Sequence, residues 1–273
     1  MEPMTGQELR YDRIAEGYAT YWSPVHRAST LALLDEVAAD AAGGHPRILD
    51  VGTGTGAMAV EAAARWPLAE IEAADISAGM LAVATRTVAA AGVAGRRVHL
   101  VQAPADRLPF PDGALDLVLT AFVLQLVPSR PRALREMRRV LRAGGRLAYV
   151  GWLAGELPFA ADAAWDEVLA SAGVERESSG GHDDLASPGM AARQLRAAGL
   201  SRVTAREDRL VHQFTPEAYT AFVTQFDDGD LMLDLEPAQR EAITADLLER
   251  LHRLAPADLR LELPIVYASG IAR

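Results

Sequence analysis

Short apolar runs alternate with amphipathic stretches through the first half of the chain. The apolar runs predict five β-strands, at 47–51, 69–74, 98–102, 115–120 and 146–152. Between them, apolar residues recur at helical spacing, which predicts helices over 57–66, 77–91 and 130–142. Strands that alternate with helices are typical of parallel βαβ units, so we expect a mostly parallel α/β sheet.

The flanking segments are mainly helical by the same criterion. Before the first strand, the spacing predicts a short helix over 5–22, a break at Ser23-Pro24 and a helix over 25–42. After the fifth strand, it predicts helices at 158–172, 216–226 and 237–254, one more that begins at Ser187-Pro188, and strands at 202–213 and 261–272. The polar stretch 173–186 predicts a loop.

The first strand leads into a turn, residues 50–56, that has glycine at every second position from Gly52. Glycine permits positive φ and lets a ligand touch the backbone, and N–H groups at the start of the next helix face the same spot. The second strand is followed by Asp75, where a carboxylate can bind both hydroxyls of a ribose. Because Gly52-x-Gly54-x-x-Ala57 also fits the dinucleotide fingerprint, these residues predict an adenosine ligand without deciding whether it carries a pyrophosphate.

Composition and charge narrow the classes of partner. Acidic residues outnumber basic ones, 37 to 27, and the net charge of −10 argues against nucleic-acid binding through a basic surface. The chain has no cysteine, which excludes disulfides, thiolate metal sites and thiol nucleophiles. Neither a signal peptide nor an apolar run of membrane-spanning length is visible, so we expect no membrane span and a cytoplasmic location.

Four segments together resemble the class I S-adenosylmethionine-dependent methyltransferases. Residues 48–56 resemble their motif I, and residues 75–81 resemble their second motif. Residues 108–118 are similar to the segment that joins their third and fourth strands, and residues 135–147 to the helix and turn before the fifth. Within this class, the chain is most similar to small-molecule enzymes such as the quinone-biosynthesis C-methyltransferases.

The resemblance implies a Rossmann-like, doubly wound α/β sheet of seven strands, mostly parallel with the last strand antiparallel. It implies one methyltransferase domain over 1–273, with N-terminal helices in 1–44, a cofactor-binding core in 45–152 and a substrate-side half in 153–273. The implied cofactor is S-adenosyl-L-methionine, and no metal is implied. The residues implied to hold the cofactor are Tyr18, Asp50, Gly52, Thr53, Gly54, Gly56, Asp75, Ile76, Met80, Ala105, Asp106 and Thr120.

One position departs from the family pattern. The family usually has an acidic residue directly before the alanine that corresponds to Ala105, and that residue binds the adenine amino group. Here the position holds Pro104, which offers neither a side-chain acceptor nor an N–H. Asp106 is the substitute that we consider, with backbone contacts to adenine as the alternative.

Methyl transfer from a sulfonium requires an acceptor held in line with the S–CH₃ bond and the exclusion of water, and a carbon or oxygen acceptor can also need a base. No catalytic base can be assigned from the sequence. The candidates are His26, His182, His212, Tyr219 and Asp227. The alternative interpretation is a structural role for His26 and for His212, and a solvent-facing side chain in the polar loop for His182.

The segment 215–258 is rich in aromatic and aliphatic residues, and Phe222 and Phe226 share a helix face. One interpretation is a helical cap over an apolar or aromatic small-molecule acceptor. The other is an ordinary helical hairpin that packs on the sheet.

Three other functions stay open at this point. An NAD-dependent oxidoreductase would keep the glycine turn, but the chain has no lysine for a Tyr-x-x-x-Lys pair. A second alternative is a non-catalytic cofactor-binding sensor or scaffold, and a third is an enzyme that uses the sulfonium to promote a cyclisation or an elimination. The acceptor atom and the oligomeric state, with a homodimer as one alternative, are also open.

Overall fold

Seven strands form one sheet in the computed structural model, which describes residues 6–41, 43–155, 157–176 and 184–273. The strands are β1 (Arg47–Val51), β2 (Glu70–Asp75), β3 (Val98–Gln102), β4 (Leu115–Ala121), β5 (Leu141–Trp152), β6 (Leu200–Gln213) and β7 (Arg260–Ala272). Their order is β3-β2-β1-β4-β5-β7-β6, and β7 runs antiparallel to both neighbours while the other pairs are parallel. The predicted Rossmann-like, doubly wound sheet is therefore confirmed.

The strand order places a crevice above the centre of the sheet. From β1 the chain proceeds to β2 and β3 on one side, then returns to β4 on the other side of β1. The loops that leave β1 and β4 therefore diverge, and open α/β sheets bind ligands at such a point, beyond the carboxyl ends of the strands.

Helices cover both faces of this sheet. They are α1 (Gly6–Gly17), α2 (Ser23–Glu36), α3 (Ala38–Ala41), α4 (Ala57–Arg65), α5 (Ala78–Ala90), α6 (Arg130–Val140), α7 (Ala160–Ser171), α8 (Pro188–Ala197), α9 (Pro216–Phe222), α10 (Gly229–Leu233) and α11 (Pro237–Arg253). Three of the predicted helix starts carry side-chain caps, and one of them is Thr215, whose Oγ1 accepts from the Ala218 N–H. Ser77 Oγ accepts from the Met80 N–H, and Ser187 Oγ accepts from the Met190 N–H.

The N-terminal segment is more continuous than its sequence pattern predicts. A π-helical turn (Tyr18–Trp22) joins α1 directly to α2. The predicted break at Ser23-Pro24 is wrong, because Pro24 lies in the first turn of α2, where its missing N–H costs no hydrogen bond. The helix predicted over 25–42 is instead interrupted at Val37, with φ −104° and ψ 6°.

Two later boundaries also differ from the prediction. Helix α6 ends at Val140, and β5 begins at once rather than at 146. Helix α9 passes into a second π-helical turn (Val223–Asp227), which leads to the short helix α10 that the spacing did not predict. A π-helical turn shifts the helical period, so the spacing of apolar residues does not mark where α9 ends.

Apolar side chains fill both faces of the sheet. Along β1, Ile48 belongs to the cluster formed with α2, α4, α7 and α11, whereas the adjacent Leu49 belongs to the cluster formed with α6 and α8. Neighbouring strand residues point to opposite faces, so a strand covered on both faces is apolar throughout. This explains the unbroken apolar runs in the sequence. The division of the chain into N-terminal, core and substrate-side parts stays a prediction.

Candidate active site

The turn after β1 requires glycine at its first position. Gly52 has φ +70°, and a Cβ placed on it would lie 2.2 Å from Cγ2 of Val123. A larger residue would therefore meet both backbone strain and a steric clash. The Gly52 and Thr53 N–H groups both donate to the Ala74 carbonyl, at 2.8 and 2.9 Å, which ties the turn to β2.

The carboxylate of Asp75 holds two loops together. Its Oδ2 accepts from the Gly54 N–H at 2.8 Å, and its Oδ1 accepts from the Ser77 N–H at 2.9 Å. Burial raises the pKa of this carboxyl, while the backbone N–H donors oppose the rise. An ionised carboxylate offers about four lone-pair sites, so Asp75 can accept further hydrogen bonds from a ligand.

Asp50, near the end of β1, is buried with one oxygen unused. Its Oδ2 accepts from Thr53 Oγ1 at 2.8 Å, whereas Oδ1 has no hydrogen-bond partner among the described residues. Burial raises the pKa of Asp50 to about 7, against the lowering effect of the Thr53 hydrogen bond. A buried carboxylate is stable in its charged form when a cation or hydrogen-bond donor reaches it, so Asp50 is suited to bind a positively charged group.

Three adjoining cavities lie at this end of the sheet, with volumes of about 780, 210 and 240 Å³. The largest is lined by eight of the predicted cofactor residues, namely Tyr18, Gly52, Gly54, Asp75, Ile76, Met80, Ala105 and Asp106. The 210 Å³ cavity adds Asp50 and Thr53. Gly56 and Thr120 line none of the three, because Gly56 is buried against Ala84 and the Thr120 side chain is buried in the sheet.

The wall of the largest cavity beside Pro104 contains the predicted Asp106 and a residue that was not predicted, Gln102. Asp106 lines the largest cavity, but its carboxylate also pairs with Arg132 at 3.3 Å. On the same wall, Gln102 donates to the Ile76 carbonyl at 3.0 Å, and the sequence reasoning missed it. A glutamine at the end of a strand carries no motif signal, so only the fold reveals it.

Helix α1 closes one side of the largest cavity. Asp12 Oδ1 accepts from Ser77 Oγ at 2.5 Å and from the Gly79 N–H at 2.8 Å, so α1 is fixed to the start of α5. A Cβ on Gly79 would lie 2.6 Å from the Asp12 backbone, which shows how closely the two helices approach. This contact places Tyr11 and Arg10 on the cavity wall, and neither was predicted there.

The 240 Å³ cavity is walled by aromatic rings that the sequence reasoning did not single out, those of Trp22, Phe122 and Trp152. The ring centroids of Phe122 and Trp152 are 4.4 Å apart. Phe122, directly after β4, has φ +57°, a strained value for a residue with a side chain. Its N–H donates to the Val150 carbonyl at 2.8 Å, which helps to hold this conformation.

Of the candidate bases that the structure describes, His26 is the one that lines these cavities. Its ring stacks on Phe122 with centroids 4.3 Å apart, and its Nδ1 is 3.1 Å from the Tyr18 hydroxyl. Burial lowers the pKa of His26 to about 3, so the imidazole is neutral near pH 7. Its Nε2 is buried and has no hydrogen-bond partner within the described chain.

The other candidate bases lie elsewhere. His212 is on the edge strand β6 against Phe214, and the Tyr219 hydroxyl donates to Asp162 in a buried network. Asp227 pairs with Arg176 at 3.2 Å. None of these three side chains lines one of the three cavities, so they do not fit the predicted role of base. His182 lies outside the described residues.

The segment 215–258 contacts side chains that line the cavities. Phe222 stacks on Trp22 with centroids 5.3 Å apart, and Phe226 meets Tyr18 edge-on at 6.4 Å. No residue of this segment lines any of the three cavities. The segment therefore packs against the residues that form the wall, in agreement with the hairpin interpretation more than with a cap in direct contact with an acceptor.

Over the described ranges, no group of three or more histidine, aspartate or glutamate side chains is arranged to hold a metal ion. Within the same residues, no helix combines the length and the apolar character needed to cross a membrane.

Part of the chain is similar in sequence to known methyltransferases. Residues 49–149 match the family model described as methyltransferase domain. Over 102 residues, the chain is 43% identical to the ubiquinone/menaquinone biosynthesis C-methyltransferase UbiE of Geotalea daltonii, a match that covers 37% of this chain and 43% of that protein. This match thus spans less than half of that relative. The segment 49–149 that the family model matches contains the glycine turn, Asp75 and β4.

Solved structures share the fold over a longer part of the chain. The phosphoethanolamine N-methyltransferase 2 of Haemonchus contortus, in complex with S-adenosyl-L-methionine, aligns over 100% of this chain and 61% of its own, with 17% identity and a TM-score of 0.59. The [4+2]-cyclase SpnF aligns over 88% of this chain and 80% of its own, with 23% identity and a TM-score of 0.57. At such identities the likeness concerns the fold alone.

Proposed function

We propose that this chain, which carries a methyltransferase domain over residues 49–149, binds S-adenosylmethionine and transfers its methyl group to a small-molecule acceptor. The matched relative is a C-methyltransferase of quinone biosynthesis, which supports an acceptor of small-molecule type. The acceptor atom, carbon or oxygen, is not fixed by this proposal, and the cytoplasmic location and oligomeric state stay predictions.

The observation that carries the proposal is the unused oxygen of Asp50. Oδ1 is buried beside the glycine turn, and the carboxyl belongs to the 210 Å³ cavity that adjoins the largest one. The ammonium group of a methionine moiety would supply the missing hydrogen bonds and the compensating positive charge. A dinucleotide would instead bring a pyrophosphate toward this carboxylate, and two negative charges in a poorly solvated site repel each other strongly.

The remaining residues of the largest cavity suit the other end of the same cofactor. Asp75 has spare lone pairs for two ribose hydroxyls, as an adenosine requires. Ile76 and Met80 provide apolar surface for the adenine ring. The residue set therefore fits S-adenosylmethionine, which supplies a methyl group on a positively charged sulfur.

The chain's own part in the reaction is to position the reactants and exclude water. Orientation of two reactants can lower a barrier by about 7–11 kcal/mol. The fixed contact between Asp12 and the start of α5 holds α1 over the largest cavity. Aromatic rings enclose the adjoining 240 Å³ cavity, so an acceptor there would lie in a poorly hydrated environment beside the cofactor residues.

Labelled cofactor tests the proposal directly. The protein is incubated with S-adenosylmethionine that carries a tritiated methyl group, together with a small-molecule extract of bacterial cells. We expect label to pass from the cofactor into an extractable small molecule, and the Asp50→Ala variant to lose most of this transfer. If the cofactor binds but keeps its tritiated methyl group, the result would instead favour a sensor or an enzyme that promotes a cyclisation.

A further inference from the structure

We call the 780 and 210 Å³ cavities the cofactor cavities and the 240 Å³ cavity the aromatic cavity. Three side chains form the boundary between them. Tyr18 and Phe122 line all three cavities, and His26 lines the 210 Å³ and 240 Å³ cavities. Asp50 lies on one side of this boundary, and Trp152 lies on the other. A molecule in the aromatic cavity would therefore meet the cofactor at Tyr18, Phe122 and His26.

The walls of the aromatic cavity select the shape of its occupant. Besides the rings already described, the apolar lining includes Leu126, Leu153 and Leu263. Trp22 meets His26 edge-on at 4.8 Å, and Phe122 and Trp152 lie 4.4 Å apart, so flat rings already pack closely here. A planar aromatic molecule would bury its faces against such walls with little loss of conformational entropy.

The polar part of the boundary is the pair formed by Tyr18 and His26, whose Oη and Nδ1 atoms are 3.1 Å apart. Either atom can carry the shared hydrogen, depending on the histidine tautomer. A ligand hydroxyl both donates and accepts, so it can bond to the Tyr18 oxygen in either arrangement. An ammonium group would find a single carboxylate, Asp184, among the described lining residues, and it would lie beside the cationic sulfur of the proposed cofactor.

Building on the methyl transfer proposed above, we propose that the 240 Å³ cavity is the acceptor site and that it takes a planar, hydroxylated aromatic molecule. In this arrangement Tyr18 binds the acceptor hydroxyl at the boundary with the cofactor cavities, and His26 positions Tyr18. The acceptor oxygen, or the ring carbon beside it, then faces the cofactor side of the boundary.

His26 is suited to a positioning role. Its ring is fixed between Trp22 and Phe122, with nearly parallel planes, 20° apart, toward Phe122. Because burial lowers its pKa to about 3, the imidazole adds no positive charge next to a cationic cofactor. A neutral ring can hold the Tyr18 hydroxyl in place without repelling the methyl donor.

An isosteric pair of probes isolates the hydroxyl contact. Protein saturated with S-adenosylhomocysteine is dialysed to equilibrium with 7-hydroxycoumarin or with 7-methylcoumarin, below the pKa of the 7-hydroxyl group. We expect the wild type to bind the hydroxylated probe roughly tenfold more tightly, as one hydrogen bond of this kind contributes. Tyr18→Phe should reduce this ratio to about one, and His26→Phe, which keeps a flat ring, should reduce it in the same direction.

Two matched variants serve as controls. Tyr21→Phe removes a hydroxyl that donates to Gln225, from a tyrosine that lines none of the three cavities, and His212→Phe replaces a histidine on the edge strand that also lines none of them. Both should keep the ratio of the wild type. Thermal melting and S-adenosylhomocysteine affinity, measured for every variant, show that each protein is folded and saturated.

The outcomes separate this inference from the function on which it rests. If S-adenosylhomocysteine does not bind the wild type, the proposed function itself fails. If it binds, but the wild type binds both coumarins equally or neither of them, the acceptor class assigned to the cavity is wrong. If the preference for the hydroxyl survives Tyr18→Phe, or disappears in Tyr21→Phe, the assignment of Tyr18 is wrong.

Discussion

Oδ2 of Asp75 accepts the Gly54 N–H at 2.8 Å, so the residue that ends β2 fixes the turn that follows β1. The same carboxylate accepts the Ser77 N–H at the start of α5. One side chain thus sets the relative position of two loops that face the largest cavity. Substitutions at Asp75 should therefore affect both the shape of the site and the binding of a ribose.

Asp75→Ala should weaken the binding of S-adenosylmethionine by about 1.5–3 kcal/mol, because charge-assisted hydrogen bonds are lost. Isothermal titration calorimetry measures this change. Asp112→Ala serves as the control, since Asp112 is an exposed carboxylate that pairs with Arg139 and lines none of the three cavities. Unchanged affinity in Asp75→Ala would remove Asp75 from the site.

Asp50 should make cofactor binding depend on pH. Its folded-state pKa is raised to about 7, so below that pH the carboxyl is mostly protonated and a cationic ligand must displace the proton. The affinity for S-adenosylhomocysteine should rise toward about tenfold per pH unit from about pH 5 to about pH 7. Asp50→Asn should bind weakly with a shallower slope, and the part that remains would report Asp75, whose pKa is also raised.

The raised pKa of Asp50 also makes the stability of the folded state depend on pH. The unfolded state releases the Asp50 proton near pH 4, whereas the folded state holds it up to about pH 7, so the folded state binds more protons between these values. The contribution of Asp50 to stability is therefore present at low pH and lost as the pH rises through about 7. In thermal melts, Asp50→Asn should gain stability relative to the wild type as the pH rises through this range. A constant difference between the two proteins would contradict the burial of an uncompensated carboxyl.

Gly52→Ala should be more damaging than an alanine at another glycine of the same conformation. Gly52 and Gly173 have φ +70° and +69°, but a Cβ on Gly52 would clash with Val123, whereas a Cβ on Gly173 meets nothing within 4 Å. Gly173→Ala should cost about 1–2 kcal/mol from backbone strain alone. Gly52→Ala should cost more in chemical denaturation and should also lose cofactor affinity.

A double variant separates the backbone strain at Gly52 from the steric clash with Val123. Val123→Ala removes the methyl groups that lie 2.2 and 2.8 Å from the position of the added Cβ. Combined with Gly52→Ala, it should recover part of the lost stability and leave the cost of the positive φ. If Gly52→Ala is no worse than Gly173→Ala, then the close approach of Val123 does not constrain the turn.

Asp12 should control how firmly α1 covers the largest cavity. Asp12→Ala removes the acceptor for Ser77 Oγ and the Gly79 N–H, so the amides of α1 should exchange hydrogen faster and cofactor affinity should fall. Asp12→Asn keeps an acceptor oxygen and should restore most of the wild-type behaviour. Equal exchange rates in α1 for the alanine variant and the wild type would contradict this role.

The local part of the site could be predicted from the sequence. The strand–glycine turn–helix unit, the Ser77 cap and the carboxylates at the ends of β1 and β2 depend on neighbours in the chain, so their spacing indicates them directly. The parallel order of the strands follows from the βαβ alternation, which permits few other topologies. These features account for the sheet and for the part of the largest cavity that Gly52, Gly54 and Asp75 line.

The aromatic cavity could not be predicted in this way. Trp22, Phe122 and Trp152 come from three distant segments, and the fold alone brings them to one wall. His26 and His212 look equivalent in the sequence, and only the register of α2 and the edge position of β6 separate them. The π-helical turn over Tyr18–Trp22 similarly shifts the helical period just before His26, and apolar spacing does not reveal it.

Calorimetric titration of the wild-type protein with S-adenosylmethionine and, separately, with NAD tests the central claim most directly. We predict one cofactor molecule bound per chain, no measurable NAD binding, and a large loss of affinity in Asp50→Ala. Binding of NAD in preference to S-adenosylmethionine, or S-adenosylmethionine binding that is unaffected by Asp50→Ala, would contradict the assignment of this turn to a sulfonium cofactor.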